Sequence, residues 1–262
     1  MNVLIVFAHP ERRSLNGTLL RASVDILEKA GHAVDVSDLY AQNWKAVLDR
    51  EDYRYAVDRR LRVLPASRER HQEGTVPPDI LAEQEKLLRA DAVIFQYPMW
   101  WFGMPAILRG WFERVYSHAF GYGLGEYSTT RWGDRYGEGR LKGKRAMLSV
   151  TMGGRQDHYA HRAINGPIED LLYPVNHGLL FYIGFEVLPP FLLYDADRLS
   201  EERYEKELIV LRKRLIHLFS DKPIPYRLQN GGDYHVPSLW LREGLEHGNE
   251  STPFALHKRS ES

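Results

Sequence analysis

Residues 3–8, VLIVFA, form an unbroken apolar run rich in β-branched side chains that stops at His9-Pro10. A strand with no polar residue has no face to offer water, so it belongs inside a sheet covered on both sides. Parallel strands joined by helices that pack above and below provide such cover. The rest of the chain keeps that rhythm. From Ser14, Leu15, Leu19, Ile26 and Leu27 fall near one helical face, and Gly31 ends it. Residues 33–39 (AVDVSDL) alternate as a second strand, and Asp79 is expected to cap a helix carrying Ile80, Leu81, Gln84, Leu87 and Leu88. A strand at 91–98 (DAVIFQYP) follows; Pro105 then opens a helix in which Ile107, Leu108, Trp111, Phe112 and Val115 recur at three and four. Residues 146–154 form a strand ending in glycines, 185–195 contain a fifth, and Tyr204, Leu208, Leu211, Leu215 and Leu218 mark a last amphipathic helix. The expected class is α/β, a doubly wound parallel sheet of about five strands.

Three segments break the rhythm. Residues 41–77 read as a charged surface excursion, and residues 120–143 as a long loop with seven glycines among aromatics. Residues 221–262 read as a carboxyl-terminal extension to a domain spanning 1–220.

Composition narrows the function classes. Lys+Arg and Asp+Glu are both 35, so the surface has no net charge to drive non-specific nucleic-acid binding. Cys is 0, which removes disulfides, thiol catalysis, iron–sulfur clusters and Cys zinc sites. The amino-terminal apolar run is too short for a secretory signal and lacks a basic flank, and no stretch reaches membrane-spanning length, so the expected location is the cytoplasm.

In such sheets ligands bind outside the carboxyl ends of the strands. The first of these ends, HPERRSLNGT, has no glycine fingerprint but offers Ser14, Asn16, Arg12 and Arg13 at a helix amino terminus, a phosphate-type anion site or an ordinary cap. The second, QYPMWWFGMP, places Met99, Trp100, Trp101 and Phe102 in a strand-to-helix loop; large aromatics there either plug the core or stack on a planar cofactor such as a flavin. The third, TMGGRQDHYAHRAING, has Gly153 and Gly154 for close backbone approach, then the Tyr159 phenol and the Asn165 amide as donors for a developing anion. Asp157, His158 and His161 read as surface residues rather than metal ligands, since no HExxH pattern accompanies them. A Walker P-loop and a G-x-S-x-G nucleophile elbow are both absent.

Taken together, FAHPERRSLN, DILAEQ, VIFQYPMWWFGMPAILRGWFERV, SVTMGG and residues 159–189 resemble the NAD(P)H:quinone oxidoreductase (DT-diaphorase-like) family over residues 1 to about 220. The resemblance implies a flavodoxin-like fold, FAD rather than FMN, a homodimer with the active site at its interface, and two-electron reduction of quinones by NAD(P)H in a ping-pong hydride relay. It implies that His9, Ser14, Leu15 and Asn16 hold the FAD phosphates and ribitol, and that Pro98, Met99, Trp100, Trp101, Phe102, Thr151, Met152, Gly153 and Gly154 hold the isoalloxazine. Tyr159 and Asn165 would be the catalytic donors, Tyr159 hydrogen-bonding the flavin carbonyl edge, with Arg203 at the adenine end. Trp101, Phe102, Gly153, Gly154 and His158 would line the substrate site, Tyr122 and Tyr182 reaching in from the partner subunit. Asn165 stands where the best-known member has a histidine. His177 matches a zinc ligand of another branch, but that site also needs a Cys, so no metal is expected. The alternatives are an FMN-dependent reductase or azoreductase on the same fold, a flavin-bound regulatory subunit of a potassium–proton antiporter, and a flavodoxin-like electron carrier.

Overall fold

A computed structural model describes residues 1–53, 58, 60–246 and 252–259; parts of the 41–77 segment and of the carboxyl-terminal tail lie outside them. The strands are β1 (Asn2–Phe7), β2 (Ala33–Asp38), β3 (Ala92–Pro98), β4 (Arg145–Thr151), β5 (Glu186–Val187) and β6 (Phe191–Leu193). They form a six-stranded sheet in the order β2-β1-β3-β4-β5, with β6 also on β4, and all pairs are parallel. The fifth expected strand is therefore two short ones. Pro189 and Pro190 separate them, because a proline nitrogen cannot donate to the ladder.

The helices are α1 (Leu15–Lys29), α2 (Val63–Gln72), α3 (Pro78–Arg89), α4 (Ala106–Val115), α5 (Ile168–Val175) and α6 (Glu201–Ile216). Strand residues alternate between two cores, as a pleated sheet requires. Val3 and Ile5 of β1, Ile94 of β3 and Met147 of β4 meet Leu19 and Leu27 of α1 and Leu211 and Leu215 of α6. Leu4, Val6, Phe95 and Leu148 meet Ile80 and Leu87 of α3, Leu108 and Trp111 of α4, and Leu172 of α5. Trp111 thus fills the core that the preceding Trp100 and Trp101 leave alone.

Two expectations need correction. Asp79 does not cap α3: the cap is Pro77, and Asp79 sits in the first turn, paired with Arg114 at 2.7 Å. Nor is the 41–77 segment only a surface excursion. Its Asp52 is buried and accepts from Nε and Nη2 of the buried Arg114 at 3.0 and 2.7 Å. The Arg114 guanidinium also lies over the Trp44 ring at 4.6 Å, and Arg70 lies over Tyr53 at 4.7 Å while donating to the Asp52 carbonyl. The segment looked like surface because its buried apolar residues Trp44, Tyr53, Ala66 and Val76 are widely spaced and the rest of its buried side chains, Asp52, Ser67 and Arg70, are polar; hydrophobic periodicity does not register ion pairs.

The long glycine-rich loop is pinned. Tyr136 N, Gly137 N and Leu141 N donate to the carbonyls of Tyr182, Phe181 and Ile183. From its other side the carboxyl-terminal extension holds it through Arg135–Gln229 and Glu138–Asn230 hydrogen bonds, and Tyr226 enters the main core. No helix among the described residues is long and apolar enough to cross a membrane.

Removing one partner of a buried ion pair strands the other charge, which costs about 3–5 kcal/mol. Asp52→Ala is therefore expected to lose about that much in urea unfolding. Asp79→Ala, whose carboxylate is partly in water, should lose under about 1 kcal/mol. Equal losses for the two variants would show that Asp52 does not anchor the segment.

Candidate active site

Every sequence-selected cofactor residue except Arg203 lies at the carboxyl end of β1, β3 or β4, in the segment that follows it, or, for Leu15 and Asn16, in the first turn of α1. At the first end Ser14 caps α1, its Oγ accepting from Gly17 N at 3.2 Å. The His9 imidazole closes this corner: Nδ1 accepts from Glu11 N at 3.0 Å and lies 3.0 Å from Ser14 Oγ. Gly17 is required here, since a Cβ would sit 1.9 Å from the Arg12 carbonyl oxygen. Arg12 and Arg13 are not free cations: Arg12 pairs with Asp38 at 2.8 Å and Arg13 with Glu11 at 3.2 Å. The attraction for an anion therefore rests on the helix amino terminus and its cap.

At the second end Met99 N donates to the Thr151 carbonyl at 2.8 Å, and Trp100 and Gly103 exchange backbone hydrogen bonds at 2.9 and 3.0 Å. That tight loop forces Trp101 and Phe102 into the left-handed region, φ 50° and 59°, where large side chains are strained. Trp101 is 98% exposed and Phe102 53%. Their rings do not plug the core. They stand free over the strand ends, beside Trp100, whose ring lies 6.2 Å from that of His9.

At the third end Thr151 and Met152 are buried. A Cβ on Gly154 would lie 2.6 Å from the Tyr159 hydroxyl, so the phenol rests directly against this backbone. A Cβ on Gly153 would lie 2.9 Å from a carboxylate oxygen of Asp197. Tyr159 ends a short 3₁₀ turn and packs 5.6 Å from Tyr194. With Tyr194, Arg155 and Arg203 it lines an open cleft of about 1070 Å³. Arg203 donates to the Tyr194 and Asp195 carbonyls, which fixes it as a wall. Burial, then Glu169, pushes the Tyr194 phenol up to about 12. A neighbouring hollow of about 330 Å³ runs between Leu15 and Thr18 of α1 and Leu199 and Tyr204.

The three ends are tied together by two buried amides, Asn16, which the sequence reading selected, and Gln96, which it passed over. Gln96, fully buried in β3, donates Nε2 to the Asn16 carbonyl at 2.6 Å. Asn16 in turn donates Nδ2 to Thr151 Oγ1 at 2.8 Å. Asn16 Oδ1 and Gln96 Oε1 have no protein partner among the described residues. The signal was present: Gln96 is the single polar residue inside the apolar run AVIFQYP.

Not every candidate joins this place. Asn165 is tethered beside it, its N–H donating to the His158 carbonyl at 3.2 Å, but neither Asn165 nor His158 lines the Tyr159 cleft. Tyr122 and Tyr182 line a different hollow, of about 210 Å³, with Arg109 and Tyr116 on the outer side of α4.

A family model described as the flavodoxin-like fold matches residues 1–215. The chain is 54% identical over its whole length to the ribosyldihydronicotinamide dehydrogenase-like protein traD of Penicillium crustosum, covering 97% of it. It is 37% identical over 97% of its length to rat NAD(P)H dehydrogenase [quinone] 1, covering 90% of that protein. Among solved structures, a candidate quinone reductase from Klebsiella pneumoniae superimposes with a TM-score of 0.95 at 51% identity, over 98% of this chain and 99% of the other. With the 2-1-3-4-5 strand order, the carboxyl-end loops and this likeness along its whole length, the chain belongs to the flavodoxin-like fold family and, within it, to the NAD(P)H:quinone oxidoreductases.

Proposed function

We propose that this oxidoreductase binds FAD across the three strand-end loops and reduces quinones with NAD(P)H, as a homodimer with its active site at the interface. The observation that carries the reading is the pair of uncovered rings, Trp101 and Phe102, held in strained backbone beside a glycine cradle. Local strain and exposed indole surface both cost free energy, and a flat ligand stacked there offsets them. When bound, the flavin supplies two-electron transfer between the nicotinamide and the quinone, in a ping-pong sequence.

The chain's own residues fit that group. His9, Ser14, Leu15 and Asn16 would take the phosphates and ribitol at the α1 amino terminus. Pro98, Met99, Trp100, Trp101 and Phe102 on one side, and Thr151, Met152, Gly153 and Gly154 on the other, would bracket the ring. The Tyr159 hydroxyl, which rests against Gly154, would donate to an oxygen on the ring edge, with Asn165 as a second donor. Trp101, Phe102, Gly153, Gly154 and His158 would border the quinone. Room beyond the ring, in the Tyr159–Arg203 cleft and the hollow at Leu15, supports the dinucleotide over the mononucleotide. Tyr122 and Tyr182 line another face of their own chain, so a second copy would have to supply them. Ile164, 95% exposed beside Asn165, gives that copy apolar surface to cover.

The purified protein should be yellow, release FAD on denaturation and run as a dimer in size-exclusion chromatography with light scattering. Colourless monomer that FAD does not reconstitute would refute the reading. Trp101→Ala should retain less flavin and reduce quinones more slowly. Because the indole is outside the core, its urea midpoint should stay near wild type, and a large stability loss would contradict its place here.

Removing one preorganised donor to a developing anion commonly costs about a hundred- to a thousandfold. Tyr159→Phe is therefore expected to slow NAD(P)H-driven flavin bleaching in stopped flow by at least about tenfold, with FAD still bound. Asn165→Ala should slow it less, since Asn165 does not line the Tyr159 cleft. A Tyr159→Phe enzyme that bleaches at the wild-type rate would leave the phenol only a packing role against Gly154.

A further inference from the structure

Behind α5 the carboxyl-terminal extension encloses a second cavity. It measures about 340 Å³ and is walled chiefly by Tyr136, Tyr173, His177, Gly178, Tyr234 and His257. None of these residues belongs to the strand-end loops. The cavity exists because α5 continues past Val175 as a π-helical turn, Asn176–Phe181, which swings His177 toward the extension.

Four rings make one continuous stack there. Phe254 lies on Tyr173 at 4.3 Å, Tyr173 on His177 at 4.6 Å, and His177 on Tyr136 at 4.8 Å. Both faces of the His177 imidazole are covered, so only its edge can meet an incoming molecule. Part of that edge meets the Tyr226 ring, centroids 5.0 Å apart at 74°, but neither ring nitrogen has a hydrogen-bond partner among the described residues. Burial, reinforced by His257, pushes the His177 pKa down to about 3, so the ring is neutral and offers one donor and one acceptor. The His257 pKa is lowered as well, by burial and then Arg227, and its Nδ1 lies 2.9 Å from the Tyr234 hydroxyl. Burial raises the Tyr136 and Tyr173 phenols, which stay un-ionised.

The charges around the cavity are already spent. Arg227 donates to the Leu256 and Leu245 carbonyls and to Asp233, and Gln229 donates to the Trp132 and Gly133 carbonyls. Among the described residues that line the cavity Arg227 is the one permanent charge, and its guanidinium already donates to protein acceptors. What remains is an aromatic-walled space with uncharged donors and acceptors, of a size within the range of small-molecule sites. A partly desolvated imidazole edge without a partner costs free energy that a ligand can recover.

We propose that this cavity binds an uncharged, flat aromatic compound carrying a hydroxyl or carbonyl on its edge, hydrogen-bonded to the His177 imidazole. The site is distinct from the flavin cleft and stands or falls separately from it.

The probe is 4-bromo-1-naphthol, soaked into crystals of the full-length protein as purified and titrated against it by calorimetry. The expected result is an anomalous bromine peak between Tyr136 and Tyr234, still present in a Trp101→Ala variant. His177→Phe keeps the ring stack but removes both nitrogens, and should weaken this binding by at least about tenfold. Leu239→Trp, which fills the cavity from the extension, should abolish the peak, and it serves where His177→Phe fails to fold. Bromine found only beside Trp101 and Tyr159, or nowhere, would overturn the proposal. So would full-strength binding in the cavity by both variants.

Discussion

One buried hydrogen-bond relay holds the functional end of this molecule in register. Gln96 lies in the central strand with no exposed surface, and its amide reaches the Asn16 carbonyl at 2.6 Å. Asn16 passes the link to Thr151 at 2.8 Å. A polar group so deep costs free energy unless it is satisfied, so each of these side chains dictates where the next element ends. The first turn of α1, the end of β3 and the end of β4 cannot shift independently. The ridge of strand ends is thereby rigid, while the loops above it carry the exposed rings.

That rigidity explains how a strained loop persists. Trp101 and Phe102 occupy left-handed backbone because the Trp100–Gly103 bridge leaves the two residues between them no extended path. The loop is anchored on one side by Met99 N to Thr151 O and on the other by α4, whose Trp111 is buried in the core. Strain of about 1–3 kcal/mol per residue survives where the surroundings over-determine the conformation. In the proposed reading this strain is useful, since it holds open the place a planar cofactor would stack. The same relay leaves Asn16 Oδ1 and Gln96 Oε1 without protein partners.

Much of this was legible in the sequence, for reasons that also mark where legibility ended. VLIVFA could only be a doubly covered strand, and the periodicity of Leu108, Trp111 and Phe112 could only be a helix on that sheet. The loops therefore had to fall where they do, and the aromatic run after Pro98 stood out as surface too costly to leave bare. Polar burial was invisible to the same logic. Asp52 and Arg70 looked like part of a solvated excursion because charge reads as surface until its partner is known, and the partner of Asp52 is Arg114, 62 residues away. Gln96 was a lone polar letter in an apolar run, an anomaly with meaning only once Asn16 lay beside it. The α5 helix escaped notice for a different reason. Its buried Ile168, Leu172 and Val175 keep helical spacing for only eight residues, with Pro174 inside the helix and a π turn after it.

The π turn also decides how the two ends of the molecule relate. Gly178 lies in the wall of both the extension cavity and the hollow that holds Tyr122 and Tyr182. Tyr136 packs edge-on against Tyr182 at 5.1 Å while stacking on His177. The glycine-rich loop is tied to the same turn by the Tyr136 N and Gly137 N hydrogen bonds. In the dimer proposed above, Tyr182 faces the partner's flavin site. A ligand held at the His177 edge would then be connected to that site through two successive rings, Tyr136 and Tyr182. A packed ring cannot yield continuously; it keeps its position or moves to another discrete one. The extension is thus built where occupancy of its cavity could bear on the reacting face without touching any residue of the strand-end ridge.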